Sequence, residues 1–503
     1  MPLNRDIYYD LDRNGACRTS TMHTGLRPII ESRADMENVM GFRPDSSRHY
    51  YYLTTKLFRE HLIQVKEGGF KLSIDPVFRF EMSKDLVETT VANDNQATNN
   101  NNTRGFWVKA DLGSTVSFQT GFYENQAIVP IYLYQYVQGS GVVPGQGRVK
   151  EFTQRSLDFS WAHGNVSWSP KRWLNVQFGT GRHFVGNGYR SVLLSDNTFP
   201  YPYLKFSAIS KDQRFQYTTI NAKFQSVSDP ADRLPTGESL ESLFAWRRAS
   251  FKHLSVNMGP VQLGLFEATL WQNIDSNGIK PFNAMELNPL PLLNTVVNGF
   301  DGANKQLIGL DAKVRLTDKL FTYGQFALDD PARQRYAWQA GFQWFDVLRR
   351  DLHFLVEYNS ATPFAYTSTR SRGSYSHYNQ PLANPLGAGY DEAVAVVDYG
   401  IKQKFWFRAQ GSLATFTADT SATTVSGANI FDTRDKTGPD SLAVKRTRAW
   451  LDLSFAWRFN QNQNTSLSVG IITRDVTNAP DSQNSHYFYI CLRTGLFNRY
   501  YDL

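Results

Sequence analysis

Hydrophobic residues recur at every second position over long stretches of this chain. Phe70, Leu72 and Ile74 alternate with Lys71, Ser73 and Asp75; Phe106, Val108, Ala110 and Leu112 alternate with Trp107, Lys109 and Asp111. The pattern returns at Leu157–Trp161, Leu310–Leu316, Leu352–Tyr358 and Leu451–Phe459. A helix repeats every 3.6 residues and cannot produce it, whereas a strand with one apolar face does. The chain is therefore expected to be all-β.

Such strands build either a soluble sandwich or a transmembrane barrel. Many of the runs reach about ten residues, the length a tilted strand needs to cross a bilayer, against about five or six in soluble sheets. The polar face carries full charges, as a wet lumen allows, and the apolar face often begins or ends in Trp, Tyr or Phe, as interfacial girdles require. Closure would also remove the exposed edges of so many strands. The expected fold is a transmembrane antiparallel β-barrel over residues 49–503. Residues 1–48 alternate poorly and read as an N-terminal periplasmic or plug extension.

Breaks in the pattern mark loops. The Asn-rich run 92–103 reads as a surface loop, as do 139–147, 228–237 and 419–440. Ser239 to His253 suits a short amphipathic helix. Met285 to Val297 is apolar but interrupted by Pro289 and Pro291, and reads as a plug packed in the lumen. The last stretch, 486–503, reads as a terminal strand with Phe488, Ile490, Leu492, Leu496 and Tyr500 on one face. No repeat of fixed period appears, which excludes propellers and solenoids.

Composition narrows the class further. With 11 Trp, 25 Tyr and 35 Phe, aromatic residues make up 14% of 503. Such content argues against disorder. The mean hydropathy of −0.42 argues against apolar spanning helices. Net charge is +7 without any block of like charges, so nucleic acid is weakly supported as a partner, while the charge leaves room for an acidic lipid or polysaccharide. Cys17 and Cys491, the two cysteines, cannot form a disulfide framework; they are read as buried or lipid-facing thiols, with a single bridge as the alternative. Residues 1–5 lack an apolar signal core, so an exported chain would carry its signal ahead of this numbering.

Catalytic signatures are missing. The nine histidines never form HxxxH, no GxSxG occurs, and Gly181–Gly188 (GRHFVGNG) has Asn187 where a phosphate loop needs Lys. Neighbouring carboxylates such as Asp329–Asp330 and Asp391–Glu392 would point to opposite faces of a strand. No catalytic residue, metal ligand or cofactor is assigned, and the protein is expected not to be an enzyme.

Two segments carry a resemblance. Gly179–Ala208 contains GRHFVGNGYRSVLLSDN, and Phe345–Val394 contains YSHYNQPLANPLGAG. With the C-terminal stretch they resemble the Wzi family of outer-membrane capsule-assembly proteins, in particular its Bacteroidetes branch, which includes the gliding-motility protein RemB. The resemblance covers roughly residues 160–400 and the chain end. It implies a barrel of about 18 strands with lumen-constricting loops and short helices, in the outer membrane of a Gram-negative bacterium. It also implies a role in holding capsular or exopolysaccharide, assembly by the barrel assembly machinery, and contact with outer-membrane lipid and lipopolysaccharide. A monomer is expected.

Within these segments Arg182, His183, Asn187, Tyr189, Arg190, Asp196 and Asn197 offer a basic, aromatic-lined throat for an anionic glycan. Tyr375, His377, Tyr378, Asn379 and Gln380 offer ring faces for sugar C–H groups and amides for vicinal hydroxyls. The same residues equally suit inward-folded, packed loops, with Arg182 and Arg190 paired to carboxylates such as Asp196. The expected function is binding and organising polysaccharide at the cell surface, with a role in gliding or adhesion attached to it. The alternative is an outer-membrane channel or substrate-specific porin.

Overall fold

The computed structural model describes the chain apart from residues 1–2, 31–50, 88–97, 154, 228–243, 273, 276–277, 301, 370–372, 420–423, 434–437, 480–483 and 496. Eighteen antiparallel strands close into one barrel. In chain order they are β1 Phe70–Asp85, β2 Thr98–Leu112, β3 Val116–Ile128, β4 Ser156–Lys171, β5 Leu174–Gly181 and β6 Tyr201–Ile209. There follow β7 Phe215–Val227, β8 Phe244–Met258, β9 Val261–Trp271, β10 Lys305–Arg315, β11 Leu320–Asp330 and β12 Arg335–Phe345. The last six are β13 Leu352–Ala361, β14 Tyr390–Ile401, β15 Phe405–Ala418, β16 Val444–Asn460, β17 Thr465–Val476 and β18 Ser485–Thr494. Each pairs with its successor, and β18 closes on β1 through Tyr487↔Asp85 to Arg493↔Arg79. The described helices are α1 Arg5–Gly15, α2 Tyr52–Phe58, α3 Ile131–Ser140 and α4 Leu293–Asn298.

Alternation sorts side chains across the wall. Phe106, Leu310, Val356, Tyr358, Leu453, Phe488 and Ile490 are exposed on the outside, while Asp311, Lys313, Arg315, His353 and Glu357 are buried inside. Not every apolar face looks outward. Leu157, Phe159 and Trp161 point inward; Leu157 and Phe159 pack with Tyr132, Leu133 and Val137 of α3, and Trp161 with Tyr123. At one end short turns join the strands, such as 259–260 and 402–404; at the other lie long connections such as 129–155, 272–304 and 362–389. In transmembrane barrels the short turns are periplasmic and the long loops extracellular.

Along its throat the lumen is filled by protein. Residues 3–30 enter it: Asn4 caps α1, Arg13 pairs with Asp346 (2.7 Å) and Asp351 (3.1 Å), and Leu26–Arg27 pair with Phe184–Val185. Residues 31–48 lie outside the described residues.

Several local expectations are corrected. Residues 98–103 of the Asn-rich run are strand, with Asn99, Asn101 and Thr103 buried inward and Thr103 bonded to Asn125 (2.8 Å); period two governs although no apolar residue marks it. Phe244 to His253 is strand β8, not helix, because Arg247, Ala249, Phe251 and His253 all turn inward at every second position. Residues 239–243 lie outside the described residues. Residues 285–297 do not plug the lumen; they lie on the outer wall against β8, β9 and β10, where Glu267 and Gln306 bond to Thr295. The last strand stops at Thr494. The residues beyond it fold back into the lumen, so Tyr500 is buried there instead of facing lipid. Cys17 and Cys491 are both free thiols.

Candidate functional site

The connection 182–200 between β5 and β6 folds inward and forms the throat. Gly188 makes this approach possible: a Cβ there would stand 2.1 Å from Glu357 Oε2 of β13. Without one, the backbone N–H groups of Tyr189 and Arg190 donate to the Glu357 carboxylate at 2.7 and 3.0 Å, and Tyr323 Oη donates to it at 2.8 Å.

Arg190 is fully buried at the centre. Its guanidinium donates to Glu392 of β14 at 2.8 and 3.1 Å and to Asp502 of the chain end at 3.2 Å. Arg448 of β16 reaches Glu392 at 3.3 Å from the other side. Burial works against ionising Asp502, but Arg190 and Arg448 hold its carboxyl below the ordinary range. Tyr189 donates to Asp502 at 2.7 Å and carries Arg5 over its ring at 3.6 Å. Asp196 accepts from Tyr500 Oη at 2.5 Å and from Asn498 at 3.0 Å. The throat thus ties together the inward loop, the N-terminal plug, the C-terminal tail and four strands, β11, β13, β14 and β16.

The remaining residues of the first segment are also interior. Asn187 accepts from Thr24 at 2.5 Å, and Asn197 is buried as well. Arg182 lies 4.7 Å over the Trp161 ring, and burial lowers its pKa to about 10. His183 bonds Tyr201 Oη at 3.1 Å; burial holds it neutral, well below the usual imidazole range.

The second segment lies in the connection 362–389 and packs onto the first. Tyr375 donates to the Leu193 carbonyl at 2.8 Å and Tyr366 to that of Val192 at 2.7 Å. Ser376–His377 pairs with Gln380–Pro381 in a hairpin whose two tip residues, Tyr378 and Asn379, have φ of 54° and 55°, as a two-residue primed turn requires. His377 accepts from Gln225 N at 3.0 Å, with Phe224 4.6 Å away; burial and Arg247 lower its pKa to about 3. Tyr378 stacks on Phe199 at 4.4 Å. Asn379 donates to the Ser140 carbonyl at 3.2 Å, while Gln380 bonds Gly145 N (2.6 Å) and the Gln146 carbonyl (3.0 Å), fastening the hairpin to the α3 loop.

The structure therefore brings the two flagged segments together. Of their twelve residues, eleven are buried and Asn379 alone is half-buried. They form the interior of a cap. The cap's outer surface is made by residues beside it, including the exposed Gln135, Gln138 and Arg148.

Sequence reasoning did not find Glu357, Glu392, Arg448, Tyr500 or Asp502. Their only signal is inward parity on a strand, or a place in a tail read as strand. It also missed a cavity of about 190 Å³ between the tail and the wall, lined by Arg79, Arg408, Arg458, Arg493, Arg499 and Asp452 among others. Among the described residues no group of three His, Cys, Asp or Glu side chains is placed to hold a metal ion.

By sequence, no family model and no curated relative matches the chain. By structure, it is similar to Wzi, an outer-membrane protein involved in group 1 capsule assembly in Escherichia coli and a carbohydrate-binding β-barrel. That match has 12% identity and a TM-score of 0.58, over 99% of each chain. OprD of Pseudomonas aeruginosa matches at 12% identity and a TM-score of 0.43, over 84% of this chain and 94% of that one. OccAB3 of Acinetobacter baumannii matches at 8% identity and a TM-score of 0.44, over 84% and 98%. Along nearly its whole length, this chain has the fold of the Wzi barrel.

Proposed function

We propose that the protein is a non-enzymatic outer-membrane barrel of a Gram-negative bacterium that holds capsular or exopolysaccharide at the cell surface. The observation that carries this reading is the filled throat. Arg190, Tyr189, Tyr500 and Asp502 cross the lumen as fully buried groups, whereas a porin keeps a water-filled path. The loop face is then the surface left to work with. The fold shared with a carbohydrate-binding barrel supports the same reading.

On this view the buried residues Tyr375, His377, Tyr378 and Gln380 of the hairpin position the sugar-contacting surface rather than supplying it. The contact is made by groups around its tip: Asn379, Gln138 and Arg148. Amides and a guanidinium suit vicinal hydroxyls and acidic sugars. A gliding or adhesive role would use the same contact. The protein works as a monomer, in contact with lipopolysaccharide and inserted by the barrel assembly machinery.

The test is binding of the purified barrel to polysaccharide from its own organism. The N379A/Q138A/R148A variant is expected to bind at least about tenfold more weakly, since each lost hydrogen bond is worth roughly 0.5–1.5 kcal/mol. Equal binding by the variant removes the assigned surface; no binding by wild type removes the function. Stable pores in planar bilayers would instead favour the channel reading.

A further inference from the structure

On most of the barrel the outward side chains of the wall are apolar, but one sector is not. In the β7–β10 sector the outward positions include Arg248, Ser250, Lys252, Glu267, Thr269 and Gln306. Lys252 and Glu267 face each other across β8 and β9, joined at 2.9 Å, and both are almost fully buried although they point away from the lumen. What buries them is the connection 280–298, which folds down over the outer wall.

The inner side of this connection is polar and bonded to the patch. Lys252 Nζ donates to the Leu290 carbonyl at 2.9 Å. Glu267 accepts from Leu292 N (3.0 Å), Thr295 N (2.9 Å) and Thr295 Oγ1 (2.8 Å). Arg248 pairs with Glu286 at 2.9 Å. Further down, Tyr217 Oη donates to the Pro289 carbonyl. Its outer side is the reverse: Phe282, Leu287, Leu290, Val296 and Val297 are between 53% and 79% exposed.

Height along the wall tells what faces that outer side. Lys252 and Glu267 stand six residues from the turn-side ends of β8 and β9 at Met258 and Val261. Trp338 and Tyr358, exposed aromatics on the lipid-facing wall of β12 and β13, stand seven and six residues from the turn-side ends at Phe345 and Leu352. Tyr217, which meets Pro289, lies only two residues above Phe215 at the turn-side end of β7. The connection therefore descends to the depth of the apolar belt and continues it beside Leu310 and Leu254.

We propose that residues 282–297 form a membrane-immersed flap. Its inner face closes over the Lys252–Glu267 pair, and its apolar outer face contacts the acyl chains of the bilayer. Bare, that ion pair would face hydrocarbon without enough partners, which is costly. Facing water, five clustered apolar side chains would form an unsolvated patch. Lipid contact resolves both.

The experiment uses the full barrel reconstituted in phosphatidylcholine vesicles, in a Cys17→Ser background where Cys491 stays buried. A Val296→Cys variant carries an environment-sensitive fluorophore, with Leu290→Cys as a second labelling site and Leu442→Cys in the 419–443 loop as the water-exposed control. The flap probes are expected to be blue-shifted and to lose most of their emission to a mid-chain nitroxide lipid, while the control is quenched by aqueous iodide. Correct folding is read from heat-modifiable gel migration. If folded protein shows no quenching of either flap probe by the nitroxide lipid, whether or not iodide reaches them, the proposal is overturned.

Discussion

Arg190 shows how this barrel handles charge in its interior. Its partners Glu392 and Asp502 lie about 200 and 300 residues away in sequence, and all three are fully shielded from solvent. Removing one member of such a set strands the others, at about 3–5 kcal/mol. The Arg190→Met variant is therefore expected to unfold at a clearly lower temperature in detergent, read by the heat-dependent gel shift. His377 gives a pH signature. Burial and Arg247 hold it neutral down to about pH 3, whereas in an unfolded chain it takes up its proton near 6.5. A depressed histidine stabilises the fold above the unfolded value, and that contribution is lost as pH falls from about 6.5 towards 3. Unfolding temperature should drop across this window, and less steeply in His377→Gln. At this scale the sequence singled out two segments, by their resemblance to a barrel family and their Gly, Arg, His and Tyr content, and the structure packs them against each other. It could not show that their side chains turn inward, since partners such as Glu357 and Asp502 are distant in the chain and marked by nothing but strand parity.

At the scale of elements, period two was the most legible signal, and it held even where composition obscured it. The Asn run 98–103 and the stretch 244–253 are strands whose inward positions are polar or mixed, so hydrophobicity alone misreads them. The apolar segment 285–297 was misplaced for the opposite reason. Apolar residues broken by prolines look like a plug, yet here they face outward because polar atoms on their other side meet Lys252 and Glu267. Glu267 holds that arrangement together. Glu267→Gln leaves Lys252 buried without its counter-ion, and a loss of about 3 kcal/mol or more is expected in chemical unfolding of the detergent-solubilised barrel. Glu267→Asp should lose less. Equal stability of wild type and Glu267→Gln would show that the pair is already solvated.

For the whole molecule, the closed 18-strand wall was expected, but the degree to which the chain fills it was not. Strand patterns describe a wall; they carry no information on what crosses its interior. The N-terminal plug and the C-terminal tail meet there, with Asn498 N donating to the Leu3 carbonyl at 3.0 Å and Asp502 reaching Arg190. If the tail is a seal, deleting residues 497–503 should turn a nearly silent protein into one with measurable single-channel conductance. An unchanged silence would assign the seal to the loops and α1 alone. The tail follows β18, the strand whose pairing with β1 closes the barrel. The bolt thus comes directly after the strand that closes the barrel. It reaches its keeper, formed by Tyr189, Arg190 and Asp196, from the turn side, opposite the face that meets the cell's surroundings. An assembling barrel would stay unlocked until β18 has closed on β1, and would be secured from within the cell envelope rather than from outside.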